Sequence, residues 1–152
     1  MEPRFTTPAN RLAWRVGDKG VSRPEAVKQA RENLQSIKQD GIAAIDKSLD
    51  QLDQLFNAPD LSSEATLQAL YEHSDAIASV AALFDFEPMG RAAYSLCELL
   101  SGFGASTVFS HSAIKAHLGA LHVLRQQSSA ARDQSDLLLA HLKDLVDHLE
   151  AR

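Results

Sequence analysis

Residues 62–84 read SSEATLQALYEHSDAIASVAALF, and this stretch is the strongest indication of the fold class. Its apolar and small side chains recur every three or four residues, at Leu67, Leu70, Ser74, Ile77, Ala81 and Phe84. That repeat is typical of one face of an α-helix, whereas a half-buried strand would alternate with a period of two. Ser62 or Ser63 can cap the first turn, and residues 85–88 (DFEP) break the pattern. We therefore predict an amphipathic helix from about Ser62 to Phe84.

The same spacing continues on both sides of this stretch and predicts four further helices. The first helix should begin near Ser22, end before residues 57–60, and bury one stripe: Val27, Ala30, Leu34, Ile37, Ile45, Leu49, Leu52 and Phe56. Gly41 interrupts it and costs about 1 kcal/mol relative to alanine, so we expect one long helix with a weak point or two helices. The stripes of the third, fourth and fifth helices are Met89, Ala92, Leu96, Leu99 and Phe103, then Ile114, Leu118, Leu121 and Leu124, then Leu138, Leu142, Leu145 and Leu149.

The predicted helices follow one another through short connections, which favours antiparallel neighbours. We therefore predict an all-α fold in which residues 22–152 form a single antiparallel helical bundle. Residues 1–21 contain prolines and glycines and show no helical period, so we interpret them as an N-terminal arm. The arm is mildly basic, and its Trp14 is either part of a tail or the anchor of a partner-binding segment.

Composition and charge argue against several classes of function. The chain has 152 residues, 45% of them hydrophobic, which suits one domain with a sizeable core. Its net charge of −5 disfavours nucleic acid as a partner, because an acidic surface repels the phosphate backbone. Residues 1–21 lack the apolar core of a signal peptide, and no apolar run reaches the roughly 18–20 residues that span a bilayer. With its single cysteine, Cys97, the chain is expected to be cytoplasmic, without a membrane partner or a cofactor.

Metal binding and nucleophilic catalysis both receive little support from the sequence. His141, Asp144 and His148 share one helical face, but a single open helix provides no preformed cage, so we expect a solvated face without a metal. Cys97 lies within the apolar pattern of the third helix, where a cysteine is usually an inert core residue. The sequence contains no glycine-rich phosphate loop and no nucleophile elbow. We therefore expect a binding protein rather than an enzyme.

Three segments carry a resemblance to a known family. They are residues 70–86 (LYEHSDAIASVAALFDF), residues 92–100 (AAYSLCELL) and residues 116–121 (AHLGAL). Over roughly residues 62–125 the chain resembles the histidine phosphotransfer domains of two-component signalling, especially short bacterial ones. The resemblance implies a four-helix core, here with a long N-terminal helix added. It also implies a phosphoryl-accepting histidine on an exposed helix face, a Lys or Arg three residues later, and small residues four and seven residues later.

The acceptor position is where this sequence departs from the family. If His73 is the acceptor, the residue four positions later is Ile77, which is bulky and belongs to the predicted core stripe. If Asp75 fills the position, the residues four and seven positions later are the small Ser79 and Ala82, and helical phase favours this register. In neither register does a basic residue follow three positions later, because both positions hold alanine. The resemblance is therefore to a phosphotransfer domain that is degenerate at its acceptor motif.

Three hypotheses for function follow from this resemblance. The first is an adaptor in a two-component phosphorelay that docks a response-regulator receiver domain or a histidine kinase without relaying phosphate itself. Its docking residues lie on one polar face of the second helix: Gln68, Glu72, Asp75, Ser79 and Ala82. The second is an active phosphotransfer protein with His73 as the phosphoryl acceptor. The third is a structural or oligomerisation bundle that associates through its first and fifth helices. Apolar stripes that stay exposed after folding would favour that hypothesis, because exposed apolar patches mark interaction surfaces. The sequence leaves the oligomeric state open.

Overall fold

The computed structural model describes residues 21–84, 86–103, 109–126 and 132–150, and in these ranges the chain is an all-α helical bundle. The helices are α1 (Arg23–Phe56), α2 (Glu64–Leu83), α3 (Glu87–Gly102), α4 (His111–Gln126) and α5 (Arg132–Glu150). No β-strand occurs in the described ranges, which confirms the predicted fold class. Except for Val21, the predicted arm with its Trp14 lies outside the described residues.

Local capping explains where the first three helices begin. Ser22 Oγ accepts a 3.4 Å hydrogen bond from the backbone N–H of Glu25, and Ser63 Oγ accepts a 3.2 Å bond from the N–H of Thr66. These bonds satisfy backbone donors that the first turn of a helix leaves without a partner. Helix α3 instead has Pro88 in its first turn, where the missing N–H of proline is not needed. Sequence signals close to each start therefore account for these boundaries.

The chain divides into two compact units, residues 1–37 and residues 38–152, and α1 contributes to both. In the first unit every described residue is exposed, including Val27, Leu34 and Ile37. The prediction that the first half of α1 carries a buried stripe is therefore wrong. Spacing places these residues on one face of a helix, but it does not determine whether another element covers that face. The predicted division between an arm and a bundle at residues 21 and 22 stays a prediction.

The hydrophobic core lies in the second unit and draws on all five helices. Its largest fully buried hydrophobic side chains are Ile45, Leu52, Leu70, Ile77, Leu96, Leu99, Ile114 and Leu121. Helix α5 contributes the buried side chains of Leu139, Leu142 and Val146, which are 4–6% exposed. Complete burial of one such side chain stabilises the fold by about 1.5–3 kcal/mol. Helix α3 contacts α2, α4 and α5, and its buried side is formed by Met89, Ala92, Ala93, Leu96, Cys97, Leu99 and Leu100.

Helix α5 differs in phase from the prediction. Its buried hydrophobic side chains are Leu139, Leu142 and Val146, whereas the predicted Leu138, Leu145 and Leu149 are half-buried. Three consecutive leucines at positions 137–139 make the apolar arc of this helix wide, so the sequence alone does not single out its centre. Packing against α3 and α4 selects Leu139 and leaves Leu137 64% exposed.

Helix α1 continues through Gly41 without a break, so one long helix is the observed alternative. The ring of Phe84, at the end of α2, packs directly on this glycine. A Cβ atom at position 41 would collide with that ring, and only glycine lacks one. Gly41 therefore permits a close contact between helices.

Two polar pairs join α1 to α4 beside the core. Arg125 Nε and Nη2 donate to the two carboxylate oxygens of Asp46 at 2.6 and 2.9 Å, and His122 Nε2 lies 2.9 Å from Asp53 Oδ2. The hydrogen bonds from Arg125 are the main reason why the pKa of Asp46 lies below its ordinary value. Because the earlier aspartate on α1 meets the later residue on α4, these two helices run antiparallel.

Candidate functional site

Helix α2 presents a continuous row of polar and small residues to solvent, because its opposite side packs into the core through Leu70, Ser74, Ile77 and Ala81. All five residues predicted to dock a partner are exposed: Gln68, Glu72, Asp75, Ser79 and Ala82. Gln68 Nε2 donates to Glu72 Oε1 at 3.0 Å, which orders the beginning of the row. We refer to these five residues as the α2 face.

The two candidate acceptor residues on α2, His73 and Asp75, differ in how far they are buried. Ser74 is 0% exposed, and its Oγ donates to the carbonyl oxygen of Leu70 at 2.7 Å. His73, directly before Ser74, is half-buried, and Ile77, four residues after His73, is 0% exposed. Asp75, directly after Ser74, is exposed. The phase of the helix is thus the one expected for the Asp75 register. The role of Asp75 in docking and that of His73 as a phosphoryl acceptor both stay predictions.

A groove with a volume of about 1120 Å³ lies beside the α2 face, and we refer to it as the α3 groove. It is lined by residues of α2, α3 and α5, and its small or apolar lining residues include Ala78, Ala81, Ala82, Gly90, Leu139 and Val146. A Cβ atom on Gly90 would lie 3.4 Å from the Cβ of Ala81, so α2 and α3 approach closely here. Ala82 belongs both to the α2 face and to the groove lining, which makes the two surfaces continuous.

Charged side chains of both signs also line the α3 groove: Glu87, Arg91, Glu98, Lys143 and Asp147. Arg91 Nη1 lies 3.8 Å from Asp136 Oδ1, with the two side chains 58% and 71% exposed. An ion pair as exposed as this contributes little to stability, because solvent screens it. The Arg91 guanidinium therefore remains accessible to a ligand in the groove.

Cys97 lies on α3 at its contact with α2. It is 5% exposed, which confirms that it belongs to the core, and its Sγ is 3.9 Å from the carbonyl oxygen of Tyr71. Burial is the main cause that raises the pKa of its thiol to about 11, and the charges of Asp75 and Glu98 add to the effect. The thiol is therefore protonated at neutral pH, which makes it a poor nucleophile.

A polar pair between α3 and α4 was not anticipated from the sequence. His117 is 0% exposed, its Nδ1 lies 2.8 Å from the carbonyl oxygen of Ala113, and its Nε2 lies 3.1 Å from Ser95 Oγ. Burial lowers the pKa of His117. Its burial was detectable in the sequence, because His117 stands three residues after Ile114 and four before Leu121 in the α4 stripe. Its pairing with Ser95 was not, because the two residues belong to different helices.

The residues considered for a metal site all lie at the protein surface. His141, Asp144 and His148 are all exposed on α5. Among the described residues, no group of three or more His, Cys, Asp or Glu side chains is placed to hold a metal ion. In the same part of the chain, every helix is too short or too polar to cross a lipid bilayer.

Comparisons of this chain with protein-family models, with curated proteins and with solved structures return no match. The likeness to histidine phosphotransfer domains therefore stays a hypothesis that rests on the residues of this sequence.

Proposed function

We propose that the chain is an adaptor of two-component signalling, similar to histidine phosphotransfer proteins, that docks a receiver domain or a histidine kinase through the α2 face. It binds its partner without relaying phosphate. The observation that carries the proposal is the exposed row on α2, in which the carboxylate of Asp75 is followed by the small residues Ser79 and Ala82.

The shape and charge of this row support docking of another protein. Side chains as small as Ser79 and Ala82 allow a partner to approach the helix closely. Glu72 and Asp75 give the row a negative charge, and the charges of Asp75 and of Glu98 on α3 both raise the pKa of Cys97. A partner with a cationic patch is complementary to this charge. Asp75 then takes part of the role that a phosphohistidine has in the family.

Two features of α2 argue against phosphoryl transfer. His73 is half-buried, and the helix position four residues later holds the buried Ile77. The residues three positions after His73 and Asp75 are Ala76 and Ala78, so neither register supplies a neighbouring cation for a phosphoryl group. An active phosphotransfer protein is the alternative. Rapid acid-labile phosphorylation of His73, lost in His73→Gln, would establish it in place of the adaptor.

Steric variants of the α2 face test the docking proposal. The assay measures affinity for a panel of receiver and kinase domains, with the receivers both phosphorylated and unphosphorylated. Ser79→Arg places a long side chain at the centre of the face, and loss of fit at an interface centre costs about 2 kcal/mol or more, or about 30-fold in affinity. Ala116→Arg is the matched control, since it adds the same side chain at an exposed position inside α4. Equal affinity of both variants for the partner, or no binding by the unaltered chain, would refute the proposal.

A second candidate function is supported by the exposed stripe of α1. Val27, Leu34 and Ile37 are 44%, 64% and 53% exposed, and such a stripe favours an oligomerisation bundle. If helix α1 associates through this stripe, Leu34→Asp should lower the mass measured by analytical ultracentrifugation, and Gln35→Asp, on the adjoining exposed position, should leave it unchanged. A monomer at every concentration would exclude this candidate.

A further inference from the structure

Ser95 lies between a buried histidine and the α3 groove. It is half-buried, it lines the groove, and its Oγ is 3.1 Å from Nε2 of His117. His117 is 0% exposed and does not reach the groove, so Ser95 is the accessible member of the pair. The groove volume of about 1120 Å³ is sufficient for a small organic ligand.

The hydrogen bonds of the imidazole determine its tautomer. A carbonyl oxygen can only accept, so Nδ1 of His117 carries the proton that it donates to Ala113. Burial lowers the pKa of His117, which keeps the ring neutral at pH 7 and leaves a lone pair on Nε2. Ser95 is therefore the donor in the second hydrogen bond. A nucleophile, a base and a group that orients the base are all present, which is the arrangement that activates a serine hydroxyl.

The same groove contains a second serine without this arrangement. Ser101 also lines the groove, but its Oγ donates to the backbone carbonyl oxygen of Cys97 at 2.6 Å. A carbonyl oxygen accepts a hydrogen bond but does not remove a proton near neutral pH. Ser95 and Ser101 therefore face one cavity and differ in whether a base is available.

The lining of the groove indicates what kind of ligand it accommodates. Arg91 lies one helical turn before Ser95 on α3, and Lys143 lines the groove from α5. Negative charge develops on the carbonyl oxygen when a nucleophile attacks an ester, and nearby cations stabilise that charge. Ala82 and Leu139 contribute apolar surface for a short acyl chain. This combination suits small activated esters.

We propose that Ser95 is a nucleophile that accepts an acyl group from small activated esters bound in the α3 groove, with His117 as its general base. Ser95 Oγ forms a bond to the carbonyl carbon while its proton passes to Nε2 of His117. The bond from that carbon to the alkoxide or phenolate oxygen then breaks, and the leaving oxygen takes the proton from His117. The products are acyl-Ser95 and an alcohol or phenol, and no other reactant is required. This activity goes beyond the proposed docking and does not depend on it.

A fluorophosphonate probe tests the proposal in the unaltered chain. The probe forms a bond from phosphorus to a nucleophilic serine oxygen and loses fluoride. Mass spectrometry of the intact chain measures the stoichiometry, and fragmentation of the tryptic peptide 92–115, which contains both Ser95 and Ser101, locates the label. We expect one label per chain on Ser95, formed at least about 100-fold faster than on Ser101, because general bases contribute this much or more. Equal labelling of the two serines, or no labelling, would overturn the proposal.

Substitutions assign the roles of the two residues. Ser95→Ala should abolish labelling, whereas Ser36→Ala, which removes an exposed hydroxyl from α1, should not alter it. His117→Gln should slow the labelling of Ser95 about 100-fold in a chain that circular dichroism shows to be folded. Fast labelling in that folded variant would remove His117 as the base. If the variant does not fold, the comparison of Ser95 with Ser101 still decides the proposal. Neither assay contains a receiver or a kinase, so this proposal and the docking proposal succeed or fail separately.

Discussion

The two halves of α1 carry the same sequence pattern but differ completely in burial. Leu34 and Ile37 in the first half are 64% and 53% exposed, whereas Ile45 and Leu52 in the second half are 1% and 0% exposed. Both sets follow the three-to-four spacing of an amphipathic helix. Only the second set loses contact with water, so only there does the pattern contribute hydrophobic stabilisation, at about 25 cal/mol per Å². The spacing of apolar residues thus assigns each of them to one face of the helix. Whether another element covers that face determines how much the residue contributes to stability.

The largest expected effect compares one leucine from each half. Leu52→Ala should lower the free energy of unfolding by about 2–5 kcal/mol, because it removes buried methyl groups and leaves a cavity. Leu34→Ala should change the same quantity by no more than about 0.5 kcal/mol, because its side chain is exposed. Urea denaturation of both variants measures the difference. Similar losses of stability in the two variants would show that the first half of α1 is covered by a neighbour.

The junction between the halves provides the next largest effect. Gly41→Ala should destabilise the chain by about 1–3 kcal/mol, because the added Cβ collides with the ring of Phe84. Gly119→Ala, in α4, should instead stabilise it by up to about 1 kcal/mol, because alanine is the better helix former and, apart from the adjoining backbone of α4, no atom of the described residues lies within 4 Å of the added Cβ. Thermal denaturation should therefore show shifts of opposite sign. Stabilisation by both substitutions would mean that Phe84 does not pack on α1.

Lowering the pH should destabilise the second unit, because this unit buries His117. Residues 21–37 contain no histidine that could respond in the same way. Burial lowers the pKa of His117 below its ordinary value of 6.5. The unfolded chain therefore binds a proton before the folded chain does, and stability falls as the pH decreases below about 6.5 towards the folded pKa. Urea midpoints between pH 7 and pH 5 should decrease less in His117→Gln than in the unaltered chain or in His148→Gln. Parallel curves for all three proteins would contradict this explanation.

The smallest expected effect concerns the ion pair between Asp46, in the second half of α1, and Arg125 of α4. Asp46→Asn should lower the free energy of unfolding by about 0.5–1 kcal/mol at pH 7, because the paired side chains remain 34% and 49% exposed. The pKa of Asp46 is lowered in the folded state, so this contribution is present above its ordinary value of 3.8 and is lost as the pH falls through the folded value. Added salt should reduce the difference between variant and unaltered chain. A difference unaffected by both pH and salt would indicate lost packing instead.

The candidate site was predictable from the sequence only to the extent that it lies on one helix. Every residue of the α2 face is exposed as expected, because the positions of Leu70, Ile77 and Ala81 determine which side of α2 is left for solvent. The α3 groove combines side chains of three helices, and Ser95 meets His117 across 22 residues of sequence. No local pattern links such positions, because their proximity depends on how α3, α4 and α5 pack.

The sequence by itself determined the helical class, the approximate ends of α1 and α2 and the side of α2 that faces water. These properties depend on interactions between residues a few positions apart: capping bonds, the 3.6-residue repeat and breaks at proline. Only the tertiary structure decided that the stripe of α1 is buried after Gly41 and exposed before it, that α5 turns Leu139 into the core, and that His117 faces Ser95. These outcomes depend on contacts between helices distant in sequence, and such contacts are set by how the volumes of many side chains fit together.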